Sequence, residues 1–109
     1  MINTDLQTAI PLPMDQIVSF CEKWAITRFE LFGSILRKDF DPLKSDIDVM
    51  ITANPSIRYG LTDYIAIEDE LASLFGRQVD VCDRYWIERS ENRFLRTAIL
   101  RTAKVVYES

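Results

Sequence analysis

Two aspartates one residue apart, Asp46 and Asp48, lie in the run Ser45-Asp46-Ile47-Asp48-Val49-Met50-Ile51. Ile47, Val49 and Ile51 alternate with Asp46, Asp48 and Met50, the period-two signature of a β-strand with one buried face. The two carboxylates therefore point the same way. With Cβ atoms roughly 6–7 Å apart they repel by ~3 kcal/mol at an effective dielectric of about 20, a poor use of two residues for structure alone. A divalent cation between them removes the repulsion. Mg²⁺ suits such a site, because it takes hard oxygen ligands, keeps several waters and is held by one or two carboxylates together with substrate phosphates.

The chain just upstream offers a place for those phosphates. Phe29 and Leu31 alternate with Arg28 and Glu30, which predicts a strand ending at Phe32, and Gly33-Ser34 follows where the chain must turn. Glycine lets the backbone come close to a ligand. A short helical turn from Ser34 through Arg37 would aim free backbone N–H groups and the Ser34 hydroxyl at an anion, with Arg37 as a further donor. A third acid sits in Gln78-Val79-Asp80-Val81-Cys82, which reads as a core strand with Val79 and Val81 facing one way and Asp80 the other. An acid in mid-strand needs a reason. Beside the Asp46/Asp48 strand, Asp80 would be a third carboxylate, able to bind a second metal or to accept a proton from an attacking hydroxyl. The structural alternative is a sheet-edge acid paired with Arg77 or Arg84.

The remaining elements must position these residues. Residues 1–12 read as an irregular lead-in. Ile17, Phe20, Cys21 and Trp24 form a helix stripe over 13–24, with a proline near its first turn. Thr52 to Ser56 reads as a turn-rich exit from the Asp-x-Asp strand. Loops just beyond strand ends often line sites, so Asn54, Arg58 and Tyr59 are candidates for the rim. Tyr64, Ile67, Leu71, Leu74 and Phe75 mark a second helix over 61–75, stopped by Gly76. Its acids Asp63, Glu68, Asp69 and Glu70 read as a solvated surface. Tyr85-Trp86-Ile87 is placed beneath the preceding strand. A last helix over 92–103 has Leu95, Ala98 and Ile99 on one side and Arg93, Arg96 and Arg101 around the rest; 104–107 reads as a short strand. The order helix, strand, turn, strand, helix, strand, helix, strand predicts an α/β (α+β) domain, a small mixed β-sheet flanked by helices.

Composition bounds the function. The 109 residues suffice for one domain that buries around two-thirds of its unfolded surface. The 48% hydrophobic and 28% charged residues are ordinary for a globular protein. A net charge of −4 argues against a broad nonspecific nucleic-acid surface, but not against a nucleotide site built from local donors and metal. No signal peptide or membrane span is legible, so a cytoplasmic setting is expected. Cys21 and Cys82 form no CxxC pattern and read as reduced thiols. The absence of histidine excludes Ser-His-Asp and Cys-His catalysis and His-ligated zinc.

A strand, a phosphate-gripping turn and a second strand carrying Asp-x-Asp together resemble the nucleotidyltransferase superfamily of the DNA polymerase β type. The specific likeness is to its small, single-domain minimal nucleotidyltransferase branch. It rests on Gly33-Ser34, Arg37, Ser45-Asp46-Ile47-Asp48 and Val79-Asp80-Val81, and spans Phe29 to Tyr107. The resemblance implies a nucleotidyltransferase fold over residues 1–109 as one domain, and metal-dependent transfer of AMP from ATP to a hydroxyl. It implies Asp46, Asp48 and Asp80 as catalytic and metal-binding residues, Gly33, Ser34 and Arg37 as nucleotide-binding residues, and Mg²⁺ as the ion. Minimal nucleotidyltransferases of this kind are often antitoxins paired with a HEPN-family ribonuclease toxin, so a tyrosine of such a toxin becomes the expected acceptor. Two rivals stand beside this reading. One is a catalytically silent antitoxin that blocks its toxin by occlusion; the other is a transferase for small molecules, which would need a second domain or a dimer to wall its pocket.

Overall fold

In the computed structural model, residues 2, 3, 6–41 and 43–109 are described. α1 (Met14–Trp24) buries Ile17, Phe20 and Cys21, the stripe its three- and four-residue spacing predicts. It ends at Ala25 in the left-handed region, with φ 57°. β1 (Ile26–Phe32) follows, then a 3-10 turn over Gly33–Leu36. β2 (Ile47–Ala53) leads through a loop to α2 (Leu61–Phe75), which buries Ile67 and Leu71 and stops at Gly76, φ +70°. β3 (Val79–Asp83), α3 (Arg84–Glu88), α4 (Arg93–Thr102) and β4 (Lys104–Glu108) complete the chain. The expected element order holds, with α3 as an addition.

The four strands form one mixed sheet in the order β3-β2-β1-β4. β1 runs antiparallel to both β2 and β4, while β2 and β3 are parallel and joined through α2. One face carries Phe29, Leu31, Ile47, Val49, Ile51 and Val79, which pack with the buried stripes of α1 and α2 into the main core. Phe20 meets Phe29 edge to face, centroids 6.3 Å apart. Met50 and Ile99 are also buried but lie outside that cluster. Met50 was expected on an open face with the aspartates; that face is instead partly roofed.

Several expectations are corrected. Thr52 and Ala53 belong to β2, paired with Arg28 and Ile26 of β1, rather than to a turn. β3, expected in the core, is an edge strand. Its outward Val81 N–H donates to Glu68 at 3.1 Å, and Glu70 accepts from Lys23 and from the Trp24 indole, so neither glutamate is merely solvated. Tyr85 and Trp86 do not pack beneath β3: they are exposed on α3. In α4 Leu95 and Ala98 are exposed and Ile99 alone is buried. Of the lead-in, residues 1, 4 and 5 lie outside the described residues; the rest is irregular but not idle. Ile2 bridges to Tyr107, Asn3 N–H donates to Val106, and Ala9 N–H donates to the Ile35 carbonyl at 2.9 Å.

Candidate active site

β1 ends where β2 begins, because the two are antiparallel: Phe32 pairs with Asp48. The chain leaves β1 at Gly33 with φ +78°, a conformation that L side chains rarely adopt. A Cβ at Gly33 would meet Asp48 Oδ2 at 2.4 Å. Glycine is therefore required twice over, by the backbone and by a carboxylate seated against its Cα. The 3-10 turn is held by buried Ile35 and by Arg37 N–H donating to the Ser34 carbonyl at 2.9 Å. Downstream, Asp41 ties the loop back to the strand: its N–H donates to Ser45 Oγ and its carbonyl accepts from Ser45 N–H at 2.8 Å.

Asp46 is half-buried just ahead of β2, and Asp48, also half-buried, is its second residue. Asp80, exposed in β3, is the register partner of Asp48 on the adjacent parallel strand. Two steps of a strand keep the same face, so all three carboxylates share the side of the sheet opposite the main core. None of them accepts a hydrogen bond or forms an ion pair with a described residue. Burial first, then the charges of Asp80 and Asp46, raise the Asp48 pKa above its ordinary value, and only Arg37 acts to lower it. Arg37 itself is exposed and bonded to Asp39 at 3.0 Å, so its charge reaches Asp48 without a direct contact. The Ser34 hydroxyl likewise has no bonding partner among the described residues.

Hard oxygen donors gathered at like charge, with Arg37 acting on Asp48 only at a distance, suit a divalent metal ion. Among the described residues no group of three or more His, Cys, Asp or Glu side chains is drawn together tightly enough to hold a metal by itself. The Arg77 or Arg84 pairing for Asp80 is not made. Arg84 bonds Glu30 and Glu88, and the Arg77 guanidinium stacks over Phe40 at 5.2 Å.

The proposed rim lies elsewhere. Asn54, Arg58 and Tyr59 follow the far end of β2, six residues and roughly 20 Å along the strand from Asp48. Tyr59 packs between Trp24 and Tyr64 and donates to the Trp24 carbonyl. A residue the sequence reading passed over is Glu30, only 2% exposed. Its oxygens accept from Arg84 Nη1 at 2.8 and 2.9 Å, with Arg28 Nε at 3.4 Å. Glu30 pairs with Met50 across the sheet, and Met50 with Cys82, one step along the same face from Asp48 and Asp80. The signal was present: an acid between Phe29 and Leu31 is as anomalous in mid-strand as Asp80.

A mixed sheet whose first hairpin brings a glycine-serine turn against an Asp-x-Asp strand, with a third acid alongside, defines the nucleotidyltransferase class. The chain matches the family described as nucleotidyltransferase domain over residues 14–106, and it belongs to that family. No curated protein sequence matches it closely enough to count as a relative. Among solved structures it is similar to a minimal nucleotidyltransferase at 25% identity and TM-score 0.62, covering 84% of this chain and 86% of that one. It is also similar to a chain of a toxin–antitoxin complex with AMP-PNP, at 21% identity and TM-score 0.68, over 90% of this chain and 75% of that one. A third likeness is to a Shewanella oneidensis structure, a tri-AMPylated HEPN toxin in complex with MNT antitoxin, at 20% identity, TM-score 0.59, and 88% and 70% coverage. No helix among the described residues is long and apolar enough to cross a membrane.

Proposed function

We propose that this protein is an antitoxin that transfers AMP from ATP to a hydroxyl of its cognate HEPN-type toxin, with a tyrosine as the acceptor. The observation that carries the reading is the carboxylate set Asp46, Asp48 and Asp80, left without hydrogen-bond or ion-pair partners among the described residues, beside a Gly33 whose positive φ and closeness to Asp48 disfavour any side chain. The likeness to antitoxin chains crystallised with HEPN toxins, one toxin being AMPylated, supports the choice of partner.

In the transfer, the acceptor oxygen forms a bond to the α-phosphorus as the bond from that phosphorus to the bridging oxygen breaks, and pyrophosphate leaves. Asp80, exposed and in register with Asp48, receives the hydroxyl proton and passes it to water. Ser34 and the N–H groups of the 3-10 turn bind the triphosphate, and Arg37 exchanges Asp39 for phosphate oxygens as charge builds on the leaving group. Asp46 and Asp48 would hold Mg²⁺. When bound, the ion supplies charge neutralisation and alignment for in-line displacement. Gly33 keeps Asp48 in place, which is positional catalysis. The setting is cytoplasmic, where ATP is available and Cys21 and Cys82 stay reduced; burial raises both thiols to about 12, which makes them inert.

The test is the intact mass of the protein that co-purifies with this chain, after incubation with Mg²⁺ and ATP. One or more AMP increments are expected with wild type and none with the Asp46→Asn, Asp48→Asn double variant. A complex that forms but gains no mass would sink the transferase reading and leave an antitoxin that acts by occlusion.

A further inference from the structure

The C-terminal third of the chain is unlike the rest in charge. Residues 84–104 carry Arg84, Arg89, Arg93, Arg96, Arg101 and Lys104 against Glu88 and Glu91 alone, in a protein with 13 basic and 17 acidic residues. The basic excess coincides with exposed apolar surface. Phe94 is 90% and Trp86 67% exposed, and Tyr85 is half exposed. On α4, Arg93, Thr97 and Arg101 form one i, i+4 row and Phe94, Ala98 and Thr102 the next, and the two rows together line a surface groove. Ile99, on the opposite side of the helix, is the residue that docks α4. Neither Arg93 nor Arg101 has a carboxylate partner among the described residues.

The position of this face matters as much as its composition. α3 is fastened to the sheet by Arg84 on buried Glu30, and Glu30 lies on the same side of the sheet as Asp48 and Asp80. α3 therefore covers part of the sheet face that carries the carboxylates, against β2 and β3, and α4 packs on α3, so a protein seated on α4 lies on the carboxylate side of the sheet. A large, nearly fully exposed phenylalanine beside two arginines that no described carboxylate pairs has the make-up of an interface anchor. The basic charge, set on an otherwise acidic molecule, selects an acidic partner surface.

We propose that the outer face of α4, centred on Phe94 beside the row of Arg93 and Arg101, docks an acidic surface of the acceptor protein and so delivers its hydroxyl to Asp48 and Asp80. The delivery half of this proposal rests on the transferase reading above; the docking half does not.

The probe is the protein that co-purifies with this chain. An Arg93→Glu, Arg101→Glu variant and a Phe94→Ala variant are compared with wild type, with Arg93→Lys, Arg101→Lys as the charge-conserving control. Expected for the first two are a tenfold or greater rise in KM for the acceptor and in the Kd of the complex by calorimetry. With them go a kcat at saturating acceptor within twofold of wild type, unchanged binding of a fluorescent ATP analogue and an unchanged melting temperature. The lysine control keeps KM within threefold, and added salt weakens the wild-type complex more than the glutamate variant's. An unchanged Kd in both variants overturns the proposal; where Arg93→Glu, Arg101→Glu also loses ATP binding, a folding defect, Phe94→Ala decides, and its unchanged Kd overturns the proposal. Wild type that sediments alone as a dimer and separates on Arg93→Glu, Arg101→Glu overturns it in favour of a second copy. Tight binding of a single-stranded RNA 20-mer, abolished by the same variant while the protein complex persists, overturns it in favour of nucleic acid. If no AMP is transferred by wild type, the calorimetric Kd still decides the docking half, so failure of the transferase reading is told apart from failure of the surface.

Discussion

Asp48 is the residue at which fold and function pull against each other. It is half-buried, faces Asp80 and Asp46, and has no hydrogen-bond donor among the described residues. A carboxyl whose pKa is raised in the folded state stabilises that state only while protonated, and the contribution is lost as pH rises through the folded value. Near neutral pH ionised Asp48 therefore costs stability. Asp48→Asn is expected to melt higher than wild type in metal-free buffer, by on the order of 1 kcal/mol after solvent screening, or roughly 4–8 °C for a domain near this size. The difference should shrink as pH falls into the ordinary carboxylate range, and Mg²⁺ should raise the wild-type melting point alone. An equal or lower melting point for the variant would show that Asp48 is not under charge strain. Gly33 gives the complementary case. Gly33→Ala forces a Cβ into Asp48 Oδ2 and a positive φ on alanine, which is expected to cost roughly 1–3 kcal/mol and to lower transfer by about 100-fold through displacement of the carboxylate. Single-turnover rates and thermal melts on the same preparation measure both.

At the scale of elements, what was legible in the sequence was what repeats locally. The stripe of α1, the Gly76 stop of α2 and the alternation around Asp48 are written in neighbouring residues, and both helices lie where their patterns predicted, while β2 runs two residues further than its pattern showed. The β1 turn at Gly33 and the third acid at Asp80 were likewise readable from residue type at a strand end and in mid-strand. What was not legible depended on partners far away in the chain. Glu30 and Arg84 are 54 residues apart, and although the mid-strand acid is locally anomalous, nothing local names Arg84 as its partner. The rim residues Asn54, Arg58 and Tyr59 were placed by a rule for parallel sheets, in which sites gather at carboxyl ends of strands. Here the antiparallel β1 brings its own carboxyl end to the amino end of β2, and the candidate site moves there. The Glu30–Arg84 pair carries an expectation of its own. Arg84→Met leaves an almost fully buried carboxylate with only Arg28 nearby and is expected to cost about 3 kcal/mol; Glu30→Leu combined with Arg84→Met should recover most of it. Denaturant melts of the single and double variants close the cycle. A cost no larger than that of an exposed pair would mean that α3 is held by its apolar contacts instead.

Across the whole molecule, both edges of the sheet are answered in part, which blunts the templates that exposed strands offer to other chains. Glu68 of α2 answers β3, and the lead-in answers β4 through Ile2 and Asn3. Residues 6–12 make contacts at the other end of the site. Leu6, Ile10 and Leu12 pack against the core, and Ala9 N–H closes on the carbonyl of Ile35, in the middle of the turn that carries Gly33 and Ser34. One strap thus couples the far edge of the sheet to the phosphate-facing turn. Ala9→Pro removes a single donor and leaves the Ile35 carbonyl unsatisfied, at a cost of roughly 1–3 kcal/mol. Because that carbonyl lies inside the turn, the expected signature is a rise of about tenfold in KM for ATP, with KM for the acceptor unchanged. Removal of residues 1–9 should add a fall in melting temperature and concentration-dependent association through the bared β4 edge. Steady-state kinetics and sedimentation of the two variants separate the roles: a lower melting temperature with KM for ATP unaltered in both would confine the strap to covering the sheet edge.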